Sequence, residues 1–181
     1  PQLGDKQYYE PLEISDVMNV IEIEQPTRVF VPGNRIKLIT QLRKMGVNVQ
    51  VIAKEKYLPS SMLSEGEQTV VNYFYDGVEL HIIGIGHQDN GGILLDQSAM
   101  TPSLWETLPR PELEIDTPGM YQLIVDRLPI DGEITAADIR PMPFTHIAFL
   151  DKVTGVSWLR LVVRYMLGTP SASDEQLVDQ L

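Results

Sequence analysis

The segment Thr27 to Ala53 constrains the fold of this chain more than any other. It has the order strand, turn, amphipathic helix, glycine stop, strand. Leu38, Leu42 and Met45 follow the i, i+4, i+7 rule with Ile39 beside them, which predicts a helix over 34–45 capped by Asn34. Arg35, Lys37, Arg43 and Lys44 mostly take the opposite side, and Gly46 ends the run. Val47, Val49 and Val51 then alternate with polar residues, as a half-buried strand does. The segment shows a designed core and a basic helix. It does not reveal a reaction.

The helix is basic in an otherwise acidic chain. The net charge is −11, from 14 basic and 25 acidic residues. Residues 1–54 carry 7 Lys/Arg and 6 Asp/Glu, whereas residues 55–143 carry 4 and 15, so the surplus lies in the middle. An acidic middle argues against a phosphate-backbone binder, which needs a positive stripe. Nucleic acid is therefore not an expected partner. Arg160 and Arg164 interrupt the most apolar stretch, so no membrane span is expected. No cysteine is present, which removes disulfides, thiolate metal sites and cysteine nucleophiles. A start at Pro1 fits removal of an initiator Met, and the expectation is cytoplasmic synthesis, with incorporation into a virion or other large particle.

Hairpin signals dominate the rest. Asp76-Gly77, between Thr69–Tyr75 and Val78–Ile85, predicts a two-residue turn. Thr117-Pro118-Gly119 joins Leu113–Ile115 to Met120–Val125. Ile14 to Glu24 alternates as a strand, and so do Phe144–Leu150 and Val156–Tyr165 around Asp151-Lys152-Val153-Thr154-Gly155, where a helix is the rival reading and the turn chemistry favours a strand. Tyr57–Gly66 is expected as a loop. Ser171, with Asp174 and Glu175 in the following turn, starts a short amphipathic helix carrying Leu177, Val178 and Leu181. The fold expected is α+β and mainly antiparallel. It is a sandwich-like sheet with hairpins, one long amphipathic helix and a short C-terminal helix. The domain plan is an extended arm over 1–13, a single β-rich domain over 14–168 and an amphipathic tail over 169–181.

Candidate chemistry is sparse. Glu79 and His81 share a strand face, and His87 and Asp89 follow in a glycine-rich loop, residues 87–92. Imidazole and carboxylate suit zinc, manganese or acid–base work, but the spacing matches no metal motif and no nucleophile accompanies it. Ser157 lacks the glycine pattern of a nucleophile elbow and sits in an alternating run. His81 and His146 are expected as strand residues with satisfied nitrogens. Asp126, Asp131 and Glu133 lack the spacing of a calcium loop. No catalytic residue, metal site or cofactor is assigned.

The expected function is a non-enzymatic structural or interaction subunit of a larger protein assembly, such as a virion, phage-tail or injection-machine component. Its partners would be other protein subunits, as a homo- or hetero-oligomer. Tyr8 and Tyr9 on the arm, the basic residues Arg35, Lys37, Arg43 and Lys44, and the tail residues Leu177, Val178 and Leu181 are the interface candidates. Two alternatives stand beside it. One is a small hydrolase or metal-dependent enzyme built on Glu79, His81, His87 and Asp89. The other is a carbohydrate- or ligand-binding β module.

Overall fold

The computed structural model describes residues 6–53, 68–89, 92–95, 106, 108, 117–125 and 138–181. The loop expected over 57–66, the strand over 113–115 and the carboxylates Asp126, Asp131 and Glu133 lie outside them. The chain divides into two compact units, Pro1–Lys54 and Glu55–Leu181, with the boundary inside the stretch 14–168.

The first unit holds α1 (Ile14–Glu24), β1 (Val29–Pro32), α2 (Ile36–Lys44) and β2 (Val49–Ile52). β1 and β2 pair in parallel, from Val29 opposite Val49 to Pro32 opposite Ile52. A parallel pair needs a crossover, and α2 supplies it. Ile39 and Leu42 of α2 meet Val31 and Val49 in a small core. The expected strand over 14–24 is helix α1. Ile14, Val17, Met18 and Ile21 recur at the i, i+3, i+4, i+7 spacing, and that face packs half-buried on the core. Asn34 does not cap α2. The Arg35 amide donates to the Pro32 carbonyl at 3.0 Å, which places Asn34 inside a backbone turn, and the N-cap falls to Arg35 with no side-chain bond.

Gly46 is the helix stop expected. Its amide donates to the Arg43 carbonyl at 3.1 Å and that of Val47 to the Leu42 carbonyl at 3.0 Å, the paired bonds of a Schellman cap. Its φ is +79°, and a Cβ built there meets no atom within 4 Å. A valine would thus suffer backbone strain without a clash. Gly46→Val is expected to lower the stability of this unit by about 1 kcal/mol or more. An unchanged urea midpoint by circular dichroism would refute it.

The second unit contains an antiparallel sheet in the order β5-β4-β3-β6-β7. Its strands are β3 (Gln68–Tyr75), β4 (Leu80–Asp89), β5 (Gly92–Leu95), β6 (Gly119–Val125) and β7 (Ile139–Pro141). Three helices follow, α3 (Phe144–Thr154), α4 (Trp158–Leu167) and α5 (Ala172–Val178). The β3–β4 hairpin forms as expected, but its turn is shifted by one residue. Asp76 and Glu79 close it, so Gly77 and Val78 are the central pair and only Gly77 carries positive φ, at +107°. The Asp76 carboxylate fixes this shift by accepting from the Val78 and Glu79 amides, each at 2.7 Å.

The hairpin expected over 144–165 is instead the helix pair α3–α4. Trp158, Leu161, Val162 and Tyr165 lie at helical spacing, and Gly155 at φ +71° ends α3 rather than turning a hairpin. Asp151 of α3 accepts the Trp158 amide at 2.9 Å, so it caps α4 in place of Ser157. Among the described residues there are therefore five helices of 7 to 11 residues, not one long helix. On one face of the sheet the buried Phe74 ring meets Tyr165 edge-on at 5.2 Å and Trp158 at 6.4 Å. Helices, not a second sheet, cover that face among the described residues. The other face gathers Val71, Tyr73, Tyr75, Ile82, Ile85, Tyr121 and Leu123 with Leu108.

Candidate functional site

In the first unit the arm binds back onto its own helix. Lys6 pairs with Glu24 at 2.8 Å, and the Tyr8 hydroxyl donates to the same carboxylate. These bonds, Lys6 first and Tyr8 second, hold the Glu24 carboxyl below its usual range. The arm, α1 and β1 enclose a groove of about 390 Å³ lined by Tyr8, Pro11, Leu12, Val17, Val20, Ile21, Val29 and Phe30. Tyr9 is 90% exposed, and Leu12, Ile23, Ile36 and Met45 are exposed as well. No residue of α1 is fully buried, although six of its eleven residues are aliphatic or Met. Arg35, Lys37, Arg43 and Lys44 all face solvent. Arg43 also donates to the Val49 carbonyl at 3.4 Å.

In the second unit the residues of the alternative pocket do not converge. Glu79 lies in the turn before β4, His81 near the start of that strand, and His87 and Asp89 at its far end. His87 and Asp89 are strand residues, not loop residues, because β4 runs on to pair Asp89 with Gly92 of β5. Six residues of strand place His81 and His87 about 20 Å apart. His81 Nε2 meets the Asp76 carboxylate at 3.0 Å, which satisfies that nitrogen as expected. His146 differs from its expectation: it sits in the first turn of α3, and its Nδ1 is buried without a partner among the described residues.

The tail packs within its own unit. Val178 is buried, and Leu177 helps line a cleft of about 420 Å³ with Leu161, Arg160 and Arg164. Ser171 and Asp174 form the capping box of α5, and Arg164 pairs with Asp174 at 2.7 Å. Burial alone would raise the Asp174 pKa, but the Ser171 amide and hydroxyl and then Arg164 outweigh it. Asp76 behaves likewise, with burial outweighed by the Glu79 amide, His81 and the Val78 amide. Both carboxyls fall below their ordinary 3.8, so their contribution is complete above that value and is lost as pH drops through the folded pKa. Stability is expected to fall below about pH 3.8. Acid titrations of Asp76→Ala and Asp174→Ala should show a shallower loss, and slopes equal to the parent's would contradict this.

The sequence reading missed a polar row across three strands. Register places Asn72 of β3 opposite Gln122 of β6, and Gln122 opposite Arg140 of β7. The Gln122 side-chain amide donates to Asn72 Oδ1 at 3.0 Å, and the Arg140 guanidinium donates to Gln122 Oε1 at 3.4 Å. Asn72 and Gln122 have no exposure at all. A register shift in β4 lies next to Asn72, and such bulges often mark functional positions. Among the described residues no carboxylate pairs with Arg140, and its Nε and the Asn72 Nδ2 have no partner. Burial lowers the Arg140 pKa. Burial and then the Arg140 charge lower that of His146. The visible signal was one amide side chain inside each of two apolar runs, Val70-Val71-Asn72-Tyr73-Phe74 and Met120-Tyr121-Gln122-Leu123-Ile124.

No protein-family model matches the chain. Among the described residues no helix is long and apolar enough to cross a membrane. No group of three or more His, Cys, Asp or Glu is placed to hold a metal among them.

Proposed function

We propose that the protein is a structural or interaction subunit of a larger protein assembly, such as a virion, phage-tail or injection-machine component, and that its first unit makes the contacts. The observation that carries this reading is where apolar surface stays uncovered. Six of the nine large hydrophobics exposed among the described residues lie in the smaller first unit, namely Tyr8, Tyr9, Leu12, Ile23, Ile36 and Met45. Exposed large hydrophobics concentrated on one small unit suit a contact with another protein. The basic side chains of α2 suit an acidic partner surface, and they contribute orientation and on-rate more than affinity.

The test is the native mass of the full chain by light scattering at low and high salt, beside the variant Tyr9→Ser, Ile23→Asp. An assembly subunit is expected to self-associate or to bind its partner subunit at both salts, more weakly at high salt, and the variant is expected to lose association while its circular dichroism is unchanged. A parent that stays monomeric and joins no particle would overturn the reading. A second reading, a ligand-binding β module, is favoured by the half-buried Arg140, which has no carboxylate partner among the described residues.

A further inference from the structure

Among the described residues β1 and β2 pair only with each other, so each strand of the first unit has an outer edge. The Val29 amide donates to the Asn48 carbonyl at 2.9 Å, and the Gly33 amide to the Ile52 carbonyl at 2.8 Å. In a parallel ladder the polar groups of one residue point to one side and those of the next residue to the other. Val49 therefore points away from β1, and Arg43 covers its carbonyl at 3.4 Å. Phe30 points away from β2. So does the Arg28 carbonyl, which shares a planar peptide with the Val29 amide. Among the described residues nothing bonds to the Phe30 amide, the Phe30 carbonyl or the Arg28 carbonyl. Pro26 and Pro32, which have no amide, bracket this short row. Unpaired edge backbone of this kind is a template for another strand. Arg28, Val29 and Phe30 also line the groove of about 390 Å³ that the arm and α1 complete.

We propose that this edge of β1 and the groove beside it form the contact with a second copy of the chain, the two β1 strands pairing antiparallel about a two-fold axis. This contact rests on the reading of the chain as an assembly subunit and gives that subunit its partner. The pairing joins two small sheets into one, in the order β2-β1-β1-β2. A two-fold contact must be self-complementary, since each copy accepts what the other offers. The edge meets that condition, because it carries both a donor and acceptors. The groove meets it in charge. Arg28 at the start of β1 and Glu10 on the arm both line it, and neither has an ion-pair partner among the described residues. Glu24, the other carboxylate there, is already held by Lys6 and Tyr8. Two-fold symmetry sets Glu10 of each copy against Arg28 of the other. Tyr8 and Leu12, exposed on the arm, and the half-buried Phe30 supply apolar surface for the contact to cover.

The experiment uses the full chain. Amide hydrogen exchange is followed by NMR from low to high protein concentration. Sedimentation gives the dimer constant of the parent, of Glu10→Arg, of Arg28→Glu and of an equimolar mixture of the two variants. The Phe30 amide is expected to gain about tenfold protection or more as the dimer forms, while the Val29 amide, already bonded to Asn48, changes much less. Each variant alone sets like charges together and should dimerise about tenfold more weakly or worse. The mixture restores both opposite-charge contacts and should dimerise as the parent does. Glu10 and Arg28 are exposed, so the substitutions leave the fold intact, and the exchange measurement on the parent needs no variant. An oligomer whose Phe30 amide stays unprotected, or a mixture no stronger than either variant, would overturn the β1 contact and leave the assembly reading standing. A parent that is monomeric at every concentration but joins a particle through another protein would do the same. A parent that neither self-associates nor joins a particle would overturn both.

Discussion

Replacing Phe74 with alanine is expected to lower the stability of the second unit by about 3–5 kcal/mol, the range for removing a fully buried aromatic ring. Phe74 has no exposed surface and stands on the sheet face that α4 covers. Its ring meets Tyr165 edge-on at 79° and Trp158 at a tilt of 45°, so the substitution removes two aromatic contacts as well as apolar burial. The cavity would open at the seam between sheet and helix, where neither layer can close it without disturbing the other. Trp158 is tied by its ring N–H to the Thr154 hydroxyl at 2.9 Å and by its amide to Asp151. A loosened Trp158 should therefore release the α3–α4 corner too. Urea unfolding followed by tryptophan fluorescence measures this. A loss below about 1 kcal/mol would show that the helical layer does not depend on this seam.

The elements that were legible in the sequence are those whose turn chemistry admits a single reading. Val29–Ile52 gave two strands around a helix because the heptad-like apolar spacing, the stop at Gly46 and the alternating valines agree with one another. The β3–β4 hairpin and the capping box of α5 were visible for the same reason. Misreadings came where one residue type serves two structures. Gly155 following an apolar run fits a hairpin turn or a helix stop, and Thr154, Val156 and Val162 lean toward strand by propensity. Packing decided for helix: Trp158, Leu161 and Val162 share one face only at a period of 3.6, and that face is buried. α1 was misread by the same ambiguity, since Val17, Ile21 and Ile23 satisfy both an alternating and a helical template. The polar row was illegible for another reason. Asn72, Gln122 and Arg140 are 50 and 18 residues apart, and only strand register brings them together.

Charge and burial place different tasks on the two units. Among its described residues the second unit packs apolar side chains on both faces of a five-stranded sheet. The first unit leaves much of its apolar surface half-covered around a core of four buried side chains. A unit of that size buries a small fraction of its chain and is marginally stable, so it gains from any partner that covers it. The proposed association and the stability of the first unit are then in direct linkage, and the linkage is open to test at its centre.

Leu42→Ala is expected to cost the first unit about 2–5 kcal/mol, enough to unfold a unit of this kind by itself. Leu42 has no exposed surface, and it contacts Val31, Ile39 and Val49 at the middle of the core. Its carbonyl also accepts the Val47 amide in the cap that turns the chain from α2 into β2, so a shift of α2 at this residue disturbs the strand pair as well. The two tryptophans, Trp105 and Trp158, both belong to the second unit, which allows the units to be followed separately. In the variant, circular dichroism should lose helix at low denaturant while the tryptophan midpoint stays near that of the parent. The proposed association should be lost at the same time, because α1 packs on this core and the arm is bonded to α1. An equal shift of both probes would mean that the units unfold as one, and intact association in a variant whose first unit has melted would remove that unit from the interface.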